Sequence, residues 1–157
     1  MLELEQVCHQ NYSKKAGLSI YGMDGSKEML SICKEKRIAT ELVEHDITVL
    51  PWPYPDSSMN HVICCGVFHF IKDLDGIFSE IRRIQRKDGL FAFTVKKVIA
   101  DVSRDDCCQQ IEDGIPTYTH NRGYINGLLR KYQYAKLKET ISFVGDSPFI
   151  VTSSRKG

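Results

Sequence analysis

The chain has 157 residues, 42% hydrophobic and 26% charged, a composition that builds one globular domain with a real core. Its net charge of +1 leaves no electrostatic footprint for nucleic acid, and no apolar run approaches the roughly 20 residues that cross a bilayer. The first fifteen residues carry early acidic side chains and no apolar signal-peptide core, so a cytoplasmic protein with no membrane partner is expected.

In chain order, Leu2, Leu4, Val7 and Cys8 recur at helical spacing over residues 2–12, and Ser13 to Gly17 is a polar break. Leu18 to Met23 is a short apolar strand ending next to Asp24. Ser26 caps a helix to about Arg37, with Met29, Leu30, Ile32 and Cys33 as its apolar positions. Glu41 to His45 is a second strand. Three prolines in Pro51-Trp52-Pro53-Tyr54-Pro55 exclude regular structure, since each removes an amide donor and restricts its predecessor. His61 to Gly66 is a third strand, expected to be buried on both faces. Asp73 or Asp75 opens a helix to about Gln85, with Leu74, Ile77, Phe78, Ile81 and Ile84 along one face. Lys87-Asp88-Gly89 is a turn into a strand from Leu90 to Val98. Residues 100–122 are weakly patterned, with a short helix expected around Asp106–Glu112. Tyr124 to Tyr134 reads as a helix. Leu137 to Val144 and Phe149 to Ser153 are strands joined by Gly145-Asp146-Ser147-Pro148.

Strands alternating with helices predict a mostly parallel α/β sheet in a single domain. The last two strands are too close for a crossover and must be antiparallel. Among the six cysteines, Cys8, Cys33, Cys64, Cys65, Cys107 and Cys108, none forms a C-x-x-C pair, so no metal site is expected. Cys64 and Cys65 read as small strand hydrophobes.

Two segments resemble the class I S-adenosylmethionine-dependent methyltransferases. One is Gly22-Met23-Asp24-Gly25-Ser26, an acidic residue at a strand tip in a G-x-D-x-S frame. The other is Leu50-Pro51-Trp52-Pro53-Tyr54-Pro55-Asp56-Ser57-Ser58-Met59-Asn60-His61-Val62, similar to the family's L-P-x-x-D-x-S-x-D-x-V loop. The resemblance implies a Rossmann-like, mostly parallel sheet with a C-terminal antiparallel strand pair. S-adenosylmethionine is the cofactor it implies, with a small-molecule or protein methyl acceptor that the sequence does not identify.

The resemblance also implies roles. Asp24, followed by Gly25, would hold the ribose hydroxyls of the methyl donor, because two carboxylate oxygens can accept both. Asp46 would accept from the adenine amino group, with the Ile47 amide facing the ring nitrogen. Cys65 and Gly66 end the third strand where a ligand lies close to the backbone. His69 would meet the donor's amino-acid end or the substrate, or act as a catalytic base. Each has a plainer alternative. Asp24 can complement a helix dipole, Asp46 can hold a turn, and His69 can be a packing residue at a helix start. Arg86-Lys87-Asp88-Gly89 stands where the family has K-P-G-G and marks the fold. Tyr118, His120, Arg122 and Tyr124 are either a polar-aromatic pocket wall or a solvated loop.

The glycine-rich loop that opens the family's donor site is not found ahead of Leu18. Residues 2–12 resemble the helix that follows that loop, so the first strand is expected to be missing from the middle of the sheet, between Leu18–Met23 and His61–Gly66. Two apolar strand edges would then be exposed, inviting self-association. A chain of this kind is expected to transfer methyl groups poorly by itself. The alternatives are a non-catalytic remnant acting as a protein-interaction module, and a dinucleotide-dependent oxidoreductase, which the Pro-rich loop and the absent fingerprint disfavour.

Overall fold

A computed structural model describes residues 17–37, 39–97, 107–145 and 147–157. The residue 2–12 helix expected from the sequence lies outside these. The chain divides into two compact units, residues 1–53 and 54–157.

The first unit is a β-α-β element: strand β1 (Tyr21–Asp24), helix α1 (Lys27–Glu35) and strand β2 (Glu41–Glu44). The two strands are parallel, in register from Tyr21 opposite Glu41 to Asp24 opposite Glu44. Strand β1 starts three residues later than the apolar pattern suggested and takes Asp24 as its last residue, and Leu18 is exposed. Helix α1 starts where the serine predicts. Ser26 is extended, and its hydroxyl accepts from the Met29 amide at 3.2 Å, satisfying one of the orphan donors of the first turn. None of the apolar residues of α1 is buried.

The second unit holds the core. Strands β3 (Val62–Cys64), β4 (Leu90–Lys96), β7 (Tyr134–Val144) and β8 (Ser147–Lys156) form one sheet in the order β3-β4-β8-β7. The β3–β4 pair is parallel, and the other two pairs are antiparallel, as the short β7–β8 connection requires. Helix α2 (Asp75–Ile84) buries Ile77, Phe78, Ile81 and Ile84, the stripe its 3.6-residue period predicts. Phe68, Phe78, Phe91 and Phe93 are fully buried, and their rings meet at centroid distances of 4.7–6.4 Å. Helix α3 (Arg122–Lys131), capped by Asn121, adds Ile125, Leu128 and Leu129.

Two expectations are corrected here. The face of β3 that carries Ile63 is open, with Ile63 65% exposed, so the strand is not buried on both faces; it also spans fewer residues than His61–Gly66, leaving Cys65 outside and exposed. The segment expected as a helix around Asp106–Glu112 is strand β5 (Cys107–Glu112), paired antiparallel with β6 (Ile115–His120). Asp113 and Gly114, at φ +50° and +79°, form the two-residue link. Two successive left-handed residues match the twist of a hairpin, and an Asp-Gly pair is suited to them.

The β1–β2 pair is a sheet of its own, and β3 is an end strand of the four-stranded sheet. Among the described residues, β1 has a ladder only with β2, and β3 only with β4.

The Pro-rich loop is tied down by α2. Arg83 donates to the Tyr54 carbonyl at 2.8 Å and to Asp56 at 2.7 Å, and forms a two-bond fork with Glu80 at 2.9 and 2.7 Å. Such bidentate pairing is strong and directional. Amides of Ser57 and Met59 reach the Arg83 and Ile84 carbonyls. At the other end of this contact, a Cβ on Gly89 would sit 2.2 Å from the Asn60 carbonyl oxygen, so only glycine fits. Lys156 Nζ donates to the Arg82 and Gln85 carbonyls and so caps the C-terminal end of α2.

Candidate functional site

In the first unit, the candidate residues lie just past the C-terminal ends of two parallel strands, where open α/β sheets bind ligands. Asp24 is the last residue of β1. Its Oδ1 accepts from the Ser26 amide at 2.8 Å, and its carbonyl accepts from the His45 amide at 3.0 Å. The carboxylate is thereby oriented by the turn into α1, and Gly25 occupies that turn. A Cβ on Gly25 would lie 3.8 Å from the Asp46 Cα, so this glycine and Asp46 are neighbours. The structure brings Asp24, Gly25 and Asp46 together.

Asp46 follows β2 and shapes its own turn. Its Oδ1 accepts from the Thr48 amide at 2.8 Å and the Thr48 hydroxyl at 2.7 Å, and its carbonyl accepts from the Val49 amide at 3.0 Å. The Thr48 amide, and then its hydroxyl, hold the Asp46 carboxyl below the usual carboxylate range, so it stays ionised at neutral pH. Among the described residues, the hydrogen bonds that Asp24 and Asp46 accept on their side chains all end on Oδ1. Among the described residues, the second oxygen of each is left to a ligand donor. The Ile47 amide likewise has no acceptor among the described residues.

The sequence reading missed three supports of this site. Ser26 and Thr48 orient the two carboxylates. The Trp52 indole nitrogen donates to the Ile47 carbonyl at 2.9 Å, and Trp52 is buried. The Pro-rich run concealed this tryptophan's role, because only its effect on secondary structure is local.

The second unit carries the remaining candidates. Gly66 has φ +71°, a conformation that glycine adopts without penalty, and its amide donates to the Thr94 hydroxyl of β4 at 2.8 Å. Cys65, before it, is exposed. His69 sits in a short 3-10 turn (Phe68–Phe70), 7% exposed, with its ring 4.0 Å from that of Phe70 and 5.5 Å from that of Phe149. Its Nδ1 is buried with no hydrogen-bond partner among the described residues. Burial, and then the charge of Lys96, push the imidazole below its ordinary value, so it is neutral at pH 7. Lys96 is itself paired with Glu112 of β5.

The polar-aromatic cluster is mostly structural. His120 stacks on Tyr124 with ring centroids 5.6 Å apart, and its Nε2 lies 3.1 Å from the Lys72 carbonyl oxygen. Tyr124 accepts from the Leu74 amide at 2.9 Å and donates to Asp73 at 3.1 Å, securing the entrance to α2. Arg122 pairs with Glu139 at 2.6 Å. The cavity beside His120 and Arg122 holds about 10 Å³, room for about one water. Tyr118 is half-buried on β6. Among the described residues no group of His, Cys, Asp or Glu could hold a metal ion, and no helix is long and apolar enough to cross a membrane.

The comparisons with known proteins give the family and the fold. The sequence profile of the methyltransferase domain matches residues 7–93. A methyltransferase dependent on S-adenosylmethionine from Mesorhizobium loti superposes with a TM-score of 0.73 at 15% identity, covering 93% of this chain and 84% of the other. One from Methanosarcina mazei gives 0.74 at 11% identity, covering 93% and 85%. A 1,6-didemethyltoxoflavin N1-methyltransferase from Burkholderia thailandensis, solved with S-adenosylhomocysteine, gives 0.60 at 11% identity, covering 92% and 74%. No curated protein sequence matches. The fold is that of the class I S-adenosylmethionine-dependent methyltransferases, and the chain belongs to the methyltransferase domain family.

Proposed function

We propose that this chain binds S-adenosylmethionine through its nucleoside and is a methyltransferase domain in function as well as in family. The observation that carries the reading is the pair of turn-oriented carboxylates, Asp24 and Asp46, past the ends of two parallel strands. Asp24 accepts from the ribose hydroxyls. Asp46 accepts from the exocyclic amine of the base, and the Ile47 amide donates to the adjacent ring nitrogen. An ionised acceptor beside an amide donor suits the adenine edge, which offers a donor and then an acceptor. The residues described here fit the nucleoside part of the cofactor. When bound, the cofactor supplies an electrophilic methyl group on a sulfonium.

Burial of His69 against Phe70 and Phe149 supports its packing role over that of a base. Methyl transfer relies chiefly on positioning, worth roughly 7–11 kcal/mol, and a displacement of about 1 Å can cost about a hundredfold in rate.

Calorimetric titration with S-adenosylhomocysteine tests the reading. Binding is expected, and Asp24→Asn should weaken it by about 1.5–3 kcal/mol, the scale of a hydrogen bond to a charged group. If the folded chain shows no heat of binding, the reading fails and a non-catalytic interaction module takes its place.

A further inference from the structure

The Ile47–Thr48 peptide group is held at both of its polar atoms. Its N–H, that of Thr48, donates to Asp46 Oδ1 at 2.8 Å, and its C=O, that of Ile47, accepts from the Trp52 indole at 2.9 Å. The turn is closed by the Val49 amide on the Asp46 carbonyl at 3.0 Å, and His45 Nε2 lies 2.8 Å from the Val49 carbonyl oxygen. Every one of these bonds restrains the backbone around Ile47 while leaving the Ile47 N–H itself without a protein acceptor among the described residues. The Trp52 bond is the one in this set that comes from outside residues 45–49. It arrives from a segment stiffened by Pro51 and Pro53, and the indole is buried, so water competes poorly for the same carbonyl.

We infer that Trp52 is a positioning residue for base selection: its indole N–H fixes the Ile47–Thr48 peptide, whose own N–H holds the Asp46 carboxylate, and through that peptide it restrains the adjoining Asp46–Ile47 peptide, which presents the Ile47 N–H to the edge of a nucleobase. The inference rests on the nucleoside-binding reading of this site. A donor–acceptor pair discriminates between bases only while both members point in fixed directions. Adenine offers an amine and an unprotonated ring nitrogen. Hypoxanthine offers a carbonyl and a protonated ring nitrogen, which oppose Asp46 and the Ile47 N–H respectively. Loosening the turn blurs this distinction before it abolishes binding.

The test compares S-adenosylhomocysteine with S-inosylhomocysteine by calorimetry. The wild-type chain is expected to prefer the adenosyl ligand by roughly tenfold or more. Trp52→Phe keeps an aromatic ring and removes the N–H. It should weaken the adenosyl ligand roughly fivefold, the scale of one neutral hydrogen bond, leave the inosyl ligand nearly unchanged, and so compress the ratio. The chain has a single tryptophan. Biosynthetic replacement with benzothienylalanine, which puts sulfur in place of the N–H at nearly constant shape, therefore alters this site alone and serves if the phenylalanine variant does not fold. Equal weakening of both ligands would make Trp52 merely structural, and an unchanged ratio would remove it from base selection; either overturns the inference while leaving the nucleoside site standing. A wild-type chain that binds both equally selects no base and overturns the inference, and one that binds neither defeats the nucleoside-site reading itself, and the inference with it.

Discussion

Residues 17–53 and residues 54–157 are built on different terms. In the former, among the described residues, Trp52 is the one buried apolar side chain, and helix α1 buries nothing. Order there comes from short-range polar bonds: Asp24 with Ser26, Ser26 with Met29, Asp46 with Thr48. In the latter, four phenylalanines from a 3-10 turn, a helix and a strand enclose one another, and Tyr134 donates to the buried Gln85 at 2.6 Å. Hydrophobic burial there is large and non-local. The residues that read as chemistry therefore stand on a lightly packed frame, and the heavily packed part carries few residues that read as chemistry. Low local stability is a common property of segments that close on ligands.

The contrast is easiest to break in the core. Phe78→Ala should cost about 3–5 kcal/mol, the range for a buried aromatic, seen as a lower urea midpoint and lost amide protection along β4 and β8. Leu30→Ala on α1 should cost under about 1 kcal/mol, because that side chain is only half-buried. A Leu30 variant as damaging as the Phe78 variant would show that α1 is far better packed than its exposure suggests. Next in size is Arg83→Ala. It removes the two-bond fork to the Glu80 carboxylate, whose side chain is only 10% exposed, and the bonds that hold the Pro-rich loop. Breaking a fully buried pair costs about 3–5 kcal/mol; with the Arg83 side chain 27% exposed, about 2–3 is expected by denaturant titration.

Acid should act on the second unit through His69 and His120. Burial lowers both below 6.5 in the folded chain, so the unfolded chain binds more protons over the pH range just below that value. The stability these neutral rings contribute is complete above 6.5 and declines as pH falls through their folded values. Denaturant midpoints should drop between about pH 7.5 and about pH 5.5, and His69→Phe should flatten the drop. A profile as steep in that variant would assign the effect elsewhere. The smallest effect expected is in the first unit: Ser26→Ala removes one cap bond and should cost about 1 kcal/mol, read from amide exchange in α1.

Much of this layout is legible in the sequence where the cause is local. The Asp75–Ile84 helix follows from one apolar stripe, Ser26 marks the start of α1, and the closeness of β7 and β8 forces their antiparallel pairing. Asp24 and Asp46 are legible as strand-end carboxylates, and their placement together follows from one parallel pair. The Cys107–Glu112 strand was misread because Cys-Cys-Gln-Gln has no alternation; the Asp113-Gly114 pair was the available signal for a hairpin. The openness of β3 at Ile63 is not readable, since a Val-Ile run looks the same whether or not a second layer covers it. The Arg83–Asp56 pair joins residues 27 positions apart, and the wall beside His69 includes Phe149, 80 positions away. Contacts of that span leave no periodic trace.

Strand β8 is late in the sequence but interior in the sheet, between β4 and β7. During synthesis, β3, α2 and β4 can associate early, yet the exposed edge of β4 must wait until residues 147–156 have emerged from the ribosome. The Phe91 and Phe93 face therefore stays incomplete until then, a window in which chaperones and unwanted strand pairing compete for it. A nonsense or frameshift lesion near position 146 would remove the middle of this sheet, where trimming in most folds would remove only a margin.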